Sequence, residues 1–257
     1  MPTVTVTEPP LLELRRVFKS FGGSTALGPI DLVVHEGSFL AVVGPSGCGK
    51  STLLRIVAEF VAPTEGSMLR RLGEPVRRGD IGYVCQDSTL LPWAPVFDNV
   101  YLPLRMTGIG RAEAMPRVCA ALTMVGLEDA ADLSPLQLPS GLRTRLSIAR
   151  AMVSRPRLLL LDEPFGALDE TTRFTLEQDV LRLWREEGLT IVFVTRSVVD
   201  AVFLAGRVLV MTQRPGRIRA DIVVDLPQPR VPALRTEPAF GSACRDVSAA
   251  LAGTLAA

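Results

Sequence analysis

Gly44-Pro45-Ser46-Gly47-Cys48-Gly49-Lys50-Ser51-Thr52 is the stretch on which the reading of this chain turns. It satisfies G-x-x-x-x-G-K-[ST] at Gly44, Gly49, Lys50 and Ser51. The run Phe39-Leu-Ala-Val-Val43 before it is short, apolar and β-prone, and Leu53, Leu54, Ile56 and Val57 after it recur at helical spacing. Strand, glycine loop and helix are the context in which the pattern has a mechanism. Glycines without Cβ let successive backbone N–H groups turn inward around a phosphate, and the helix aims its positive end at the same point. Lys50 has the reach for β- and γ-phosphates, and the Ser51 hydroxyl suits Mg²⁺. A glycine-rich turn with a chance lysine is the bland alternative, and the flanking strand and helix argue against it. Residues 44–52 are therefore expected to hold a nucleoside triphosphate.

Downstream, Leu158-Leu-Leu-Leu161 reads as a strand buried on both faces and runs into Asp162-Glu163-Pro164. Two adjacent carboxylates at the end of an apolar strand are costly without a task. Four apolar residues followed by Asp form a Walker B pattern, so Asp162 is expected to orient the Mg²⁺ shell. Glu163 is then the candidate general base that polarises water. Upstream, Ile81-Gly-Tyr-Val-Cys85 reads as a strand with Gln86 at its end, where an amide oxygen is a further candidate ligand for Mg²⁺ or a water. Phe21, beside the Gly22-Gly23 turn, is a candidate platform for a purine ring; read alone, it fits a core position better. Cys48 inside the loop reads as a small filler.

Leu12–Arg15 and Ile30–Val34 alternate apolar and polar and suggest an antiparallel layer. From Val96 to about Leu146, Leu102, Leu104, Met106, Ala114, Val118, Ala121 and Leu122 have helical spacing, which reads as a helical insertion. Leu142–Met152 is an Arg-rich helix in which Arg145 is assigned to a solvated face. Glu170–Glu187 is an amphipathic helix stopped by Gly188. Thr190–Thr195 and Arg207–Met211 are further strands, so strand and helix alternate as in a mostly parallel, helix-covered sheet. Pro227, Pro229, Pro232 and Pro238 suggest an extended, weakly ordered tail. His35, the single histidine, has no Cys or His near it and is assigned to the surface. Trp93, between Pro92 and Ala94, is either an interface anchor or a core residue.

The 257 residues suffice for a large α/β domain. Lys+Arg (28) nearly balances Asp+Glu (27), so bulk electrostatics gives no support for binding nucleic acid. Mean hydropathy of +0.29 hints at surface covered by a partner. No run approaches the roughly 18 apolar residues of a membrane span, and Met1–Glu8 lacks the basic and apolar regions of a secretory signal. The four cysteines show no metal or redox spacing, and a cytosolic chain is expected.

Taken in order, Gly44–Thr52, Gln86, Asp162-Glu163-Pro164 and Ala167-Leu168-Asp169 resemble an ATP-binding cassette ATPase over nearly the whole chain. Leu90-Leu91-Pro92-Trp93 and Leu161–Asp169 look most like importers of the nitrate, sulfonate and taurine class. The resemblance implies an α/β fold, with a P-loop NTPase (RecA-like) core, an N-terminal antiparallel β layer and an inserted helical subdomain. The core would comprise residues 1–86 and 147–225, the helical subdomain with its signature segment 87–146, and the C-terminal tail 226–257. It implies ATP and Mg²⁺ as cofactors, Phe21 stacked on adenine, and an ATPase coupled to transmembrane transport. Implied partners are integral membrane permease subunits, a second cassette paired head to tail and, indirectly, a solute-binding protein. The implied place is the cytoplasmic face of the cell membrane, peripherally bound. Two segments depart from the family pattern. The signature reads Leu138-Pro139-Ser140-Gly141-Leu142, with Pro139 where the family has serine and Ser140 where it has glycine, and Thr195-Arg196-Ser197 carries arginine in place of the switch histidine. Proline offers a phosphate neither hydroxyl nor N–H, and arginine is a donor only. A catalytically weak regulatory or scaffold cassette, or the degenerate half of a heterodimer, is the alternative those departures leave open.

Overall fold

The structure, a computed structural model, describes residues 10–72 and 79–254; the N-terminal segment read for a secretory signal and the last three residues of the expected tail lie outside them. Its centre is β3 (Phe39–Val43), five residues all buried, flanked in parallel by β7 (Thr190–Thr195) and β8 (Arg207–Met211). β6 (Leu158–Asp162) and β5 (Ile81–Val84) extend the sheet in parallel on one side, and β9 (Ile218–Val223) closes the other edge antiparallel, giving the order β5-β6-β7-β3-β8-β9. The unbroken apolar runs follow from covering both faces. Leu40, Val42, Leu160, Val192 and Val194 face one core, with helix α1 (Lys50–Val57) and the N-terminal layer. Phe39, Ala41, Val43, Leu161 and Phe193, at the alternate positions, face the other.

The N-terminal layer is a three-stranded antiparallel sheet of β2 (Ser24–Val34), β1 (Leu12–Phe21) and β4 (Glu65–Arg70). Gly22 and Gly23, at φ +53° and +81°, form the two-residue turn that pairs Phe21 with Ser24. Strands β4 and β9 have weak patterns and are additions to the sequence reading.

Between β5 and β6 come α2 (Val96–Met106), α3 (Arg111–Met124) and α4 (Ser140–Met152). Helix α4 passes without a break through the point between residues 146 and 147 expected to separate core from insertion. Arg145 on it is not a solvated side chain: it pairs with Asp179 of α5 (Glu170–Glu187) at 2.6 Å and donates to the Val125 carbonyl at 3.0 Å. His35 is half-buried, not at the surface, and its Nδ1 has no hydrogen-bond partner.

The expectation of a weakly ordered tail is wrong for the described residues. Pro232 opens a 3₁₀ turn over Pro232–Thr236, and Pro238 opens α7 (Pro238–Ala252). Proline at the first helical turn lacks only an N–H that would be unsatisfied there anyway. Helix α7 docks on α6 (Val198–Leu204), with Phe240 and Val247 buried and Phe240 edge-on to Phe203 at 6.4 Å. Arg235 lies between Phe174 and Phe203, 4.3 and 4.1 Å from their ring centres, and pairs with the fully buried Glu177.

Candidate active site

The loop from Gly44 to Gly49 leaves the C-terminal end of the central strand β3 and enters α1, where α/β sheets hold their ligands. Gly44 and Gly49 answer to close packing and backbone conformation. A methyl group at Gly44 would meet Cys48 Sγ at 2.8 Å, and Gly49 stands at φ +101°. The turn after β8 presses on the same loop: a methyl group at Gly216 would come 1.9 Å from the Cys48 carbonyl oxygen. Arg214 donates Nε to the Gly47 carbonyl at 3.0 Å. Cys48 is fully buried, as a filler would be, and burial pushes its thiol pKa up.

Lys50 is only 4% exposed, and its Nζ donates to the Gly44 and Pro45 carbonyls at 2.9 and 3.0 Å. The ammonium is thus held at the mouth of the loop. Ser51 Oγ donates to Asp162 Oδ1 at 2.8 Å, although 111 positions separate the two residues. Tyr83 donates its hydroxyl to the other oxygen, Oδ2, at 3.1 Å. Burial first, and then the Asp162 carboxylate, push the Tyr83 phenol above its ordinary range, so it is a donor at any physiological pH.

Glu163 follows on a strained backbone, φ +47°, anchored by its N–H to the Val194 carbonyl at 2.9 Å. Its carboxylate Oε2 accepts from Arg196 Nε at 2.7 Å, the side chains being 11% and 57% exposed. The residue that departs from the family's histidine therefore grips the candidate base directly. Mutual geometry brings most of the expected residues together. A cavity of about 240 Å³ is lined by Phe21, Ser46, Gly47, Gly49, Lys50, Ser51, Thr52, Gln86 and Glu163, together with Arg196 and Arg214. Phe21 stands 51% exposed on its rim with Lys19 Nζ 5.0 Å from the ring centre, which removes the core reading. Gly44, Pro45, Cys48 and Asp162 do not line the cavity; Asp162 lies buried beneath it, bonded to Ser51. A larger cavity, about 490 Å³, lies between α3 and the ends of α4 and α5 and contains none of these residues.

The donor set fits Mg²⁺ and not a caged metal. Ser51 and Gln86 offer neutral oxygens and Asp162 one carboxylate, which suits a small hard ion that keeps waters and phosphate oxygens in its shell. Among the described residues, no group of three or more His, Cys, Asp or Glu could hold a metal by itself.

The signature segment opens α4. Pro139 is its exposed N-cap residue and supplies no side-chain cap. Gly141 is required by contact, since a methyl group there would meet Thr172 Cγ2 at 2.3 Å. Asp169 caps α5, accepting from the Thr172 N–H at 3.0 Å and from the Thr172 hydroxyl, and these bonds lower its pKa. Trp93 stands 80% exposed. Its loop is held by the fully buried Asn99, which accepts from the Leu91 N–H at 2.7 Å and donates to the Leu91 and Ala94 carbonyls at 3.1 and 3.0 Å. Tyr83, Arg214 and Asn99 escaped the sequence reading. Each acts on a partner that no local motif announces.

Residues 27–166 match the sequence model of the family described as ABC transporter. An uncharacterized ABC transporter ATP-binding protein of Methanocaldococcus jannaschii is 45% identical over 219 residues, covering 84% of this chain and 82% of the relative. An aliphatic sulfonates import ATP-binding protein SsuB of Rhodopseudomonas palustris is also 45% identical, over 85% of this chain and 76% of its own. Among solved structures, the dimeric structure of a bacterial ABC transporter cassette superposes with a TM-score of 0.73 at 32% identity, over 84% of this chain and 99% of that one. The same cassette's dimeric post-hydrolysis state, bound to ADP and Pi, also gives 0.73, at 31% identity and the same coverage. With the phosphate loop, the Ser51–Asp162 contact and Glu163 gathered at the C-terminal ends of the sheet's inner strands, and with relatives of this similarity along most of its length, the chain belongs to the ABC transporter family, as an ATP-binding cassette whose activity is ATP hydrolysis coupled to transport.

Proposed function

We propose that the chain is the ATPase subunit of an importer that energises uptake of a small solute of the sulfonate, nitrate or taurine class through a membrane permease. The observation that carries the chemistry is the Ser51–Asp162 bond beside Lys50 and Glu163. The solute class rests on the relatives named as sulfonate import ATP-binding proteins. In this reading Phe21 stacks on the adenine, the loop's N–H groups and Lys50 bind the phosphates, and Glu163 orients and deprotonates the attacking water. Ser51, Asp162 and Gln86 would hold Mg²⁺, which supplies charge neutralisation on the β- and γ-phosphates. No helix among the described residues is long and apolar enough to cross a membrane. In this reading the chain reaches the bilayer by docking on permease subunits at the cytoplasmic face. Trp93, fully presented on a loop fixed by Asn99, is the anchor for that docking, and Ser134 ties the neighbouring segment to the loop through the Pro92 carbonyl at 3.1 Å.

A second reading, a weakly hydrolysing cassette or the degenerate half of a heterodimer, is favoured by two specific observations: Arg196 bonded to Glu163, and Pro139 at the start of α4. In a homodimer both defects would fall in both sites. Paired with an intact cassette, each site would carry only part of them. Purification of the tagged chain from solubilised membranes tests both readings. Co-purifying permease and a second, different cassette support the heterodimer; permease with this chain alone supports the homodimer. Recovery of neither, or of nucleic acid or ribosomes instead, refutes the importer assignment.

A further inference from the structure

Tyr83 is a strand residue by pattern, yet its hydroxyl ends at the heart of the site. On the sheet it is paired in register with Leu160, and Asp162 lies two residues further along β6. Side chains two apart on a strand share a face, so the Tyr83 ring reaches along that face to the carboxylate. Phe60, just after α1, packs against the ring with centroids 5.1 Å apart and limits where the hydroxyl can go. The result is a carboxylate with both oxygens assigned: Oδ1 to Ser51 at 2.8 Å, Oδ2 to Tyr83 at 3.1 Å. A carboxylate held at both oxygens has its plane fixed, and partners behind a metal ligand commonly set its affinity by 10–100-fold.

We propose that Tyr83 is a positioning residue for the metal site, acting through Asp162 and touching neither nucleotide nor metal. This rests on the reading that Ser51 and Asp162 hold Mg²⁺. If Tyr83 were only packing, its ring would suffice and the hydroxyl would be dispensable. If it positions Asp162, the hydroxyl matters for the metal and not for the base or the metal-free phosphates.

Tyr83→Phe separates the two, because it keeps the ring against Phe60 and removes one oxygen. The measurement is Mn²⁺ binding to the full chain in the presence of ATP, followed by electron paramagnetic resonance. ATP affinity in EDTA is measured alongside it by calorimetry. The expected result is a metal affinity weakened about tenfold or more, with metal-free ATP affinity unchanged. Steady-state ATPase should show the same split, with the Mg²⁺ requirement raised and most of kcat recovered at saturating Mg²⁺. Asp162→Asn is the companion variant. If it weakens Mn²⁺ binding while Tyr83→Phe leaves it within twofold of wild type, the positioning role of Tyr83 is overturned and the metal assignment stands. If neither variant changes Mn²⁺ binding, the metal assignment itself fails and takes the proposal with it. Equal loss of metal-bound and metal-free ATP affinity in Tyr83→Phe would show a packing role and likewise overturn the proposal.

Discussion

Replacing Pro139 by serine should raise the ATPase rate of the isolated chain with only a small change in its stability. Pro139 is the N-cap residue of α4, at φ −53° and ψ 158°, and supplies no side-chain cap. Serine accepts this backbone without strain and brings a capping hydroxyl, which stabilises by about 0.5–2 kcal/mol. Losing proline frees the unfolded chain and costs about 0.4–1 kcal/mol. The two partly cancel, leaving a change between about −0.5 and +1.6 kcal/mol, or a melting shift of about 6 °C at most for a chain of this size. The rate stands on different ground. In the head-to-tail pairing that the family resemblance implies, serine would restore a hydroxyl facing the γ-phosphate, and one such preorganised donor is worth about 10²–10³ in kcat. Gly141, kept free of a side chain by Thr172, leaves the backbone approach intact, so the serine enters an otherwise formed helix start. The assay is steady-state ATPase of the purified chain with a parallel thermal melt. Adding Arg196→His should raise the rate further by releasing Glu163, and Glu163→Gln should abolish the gain. A melt unchanged within the stated range, with a rate that also stays at the wild-type level, would refute the argument and make Arg196 or Ser140 the element that sets turnover.

Lys50→Ala should weaken ATP binding by about 10–150-fold in calorimetry, the worth of charged hydrogen bonds to phosphate. It should also lower nucleotide-free stability by about 1–3 kcal/mol, because the buried ammonium satisfies the Gly44 and Pro45 carbonyls. Trp93→Ala should leave stability within about 0.5 kcal/mol, the side chain being exposed. Its retention on permease-containing membranes should fall by about 1 kcal/mol or more, and a melting loss larger than the retention loss would contradict the anchor role. Glu177 supplies the pH dependence. Burial, opposed by Arg235 and reinforced by Asp200, pushes its pKa from 4.5 up to about 7. The folded chain keeps this proton where the unfolded chain has lost it. The resulting stabilisation is therefore full below about pH 4.5 and lost as pH rises to about 7. Glu177→Gln should flatten the fall in melting temperature across that window; an equally steep fall would assign it to other groups.

The phosphate loop and the Asp162-Glu163 pair were legible because their chemistry is contiguous: glycine spacing, a reaching lysine and adjacent carboxylates carry their meaning in the local string. The central strands were legible because burial on both faces demands unbroken apolar runs. Tyr83 and Arg214 were not, since their partners lie 79 and 167 positions away and a tyrosine in a strand or an arginine in a turn has no local signature. Arg145 was misread for a related reason: a charge on a helix looks solvated until Asp179 of another helix is seen beside it. The prolines after Leu226 misled because composition counts them and position does not. Pro232 and Pro238 sit in first helical turns, where proline is at home. Phe21 was ambiguous alone, because exposure is decided by the turn geometry of Gly22-Gly23 and not by the residue itself.

The place of β3 in the sheet also governs how the chain can be made. Both neighbours of this strand, β7 and β8, are encoded about 150 residues after it, with Phe39 opposite Ile191 and Leu40 opposite Arg207. At ribosomal speeds of about 5–20 residues per second, Phe39–Val43 emerges roughly 8–30 s before anything it can pair with. During that interval a fully apolar segment and its glycine loop wait unpaired, a state open to aggregation and to capture by chaperones. A message truncated between about residues 52 and 190 yields a polypeptide that contains every residue of the phosphate loop and neither strand that flanks β3. The sheet that positions the phosphate loop is thus complete only once β7 and β8 have been made, near the end of synthesis.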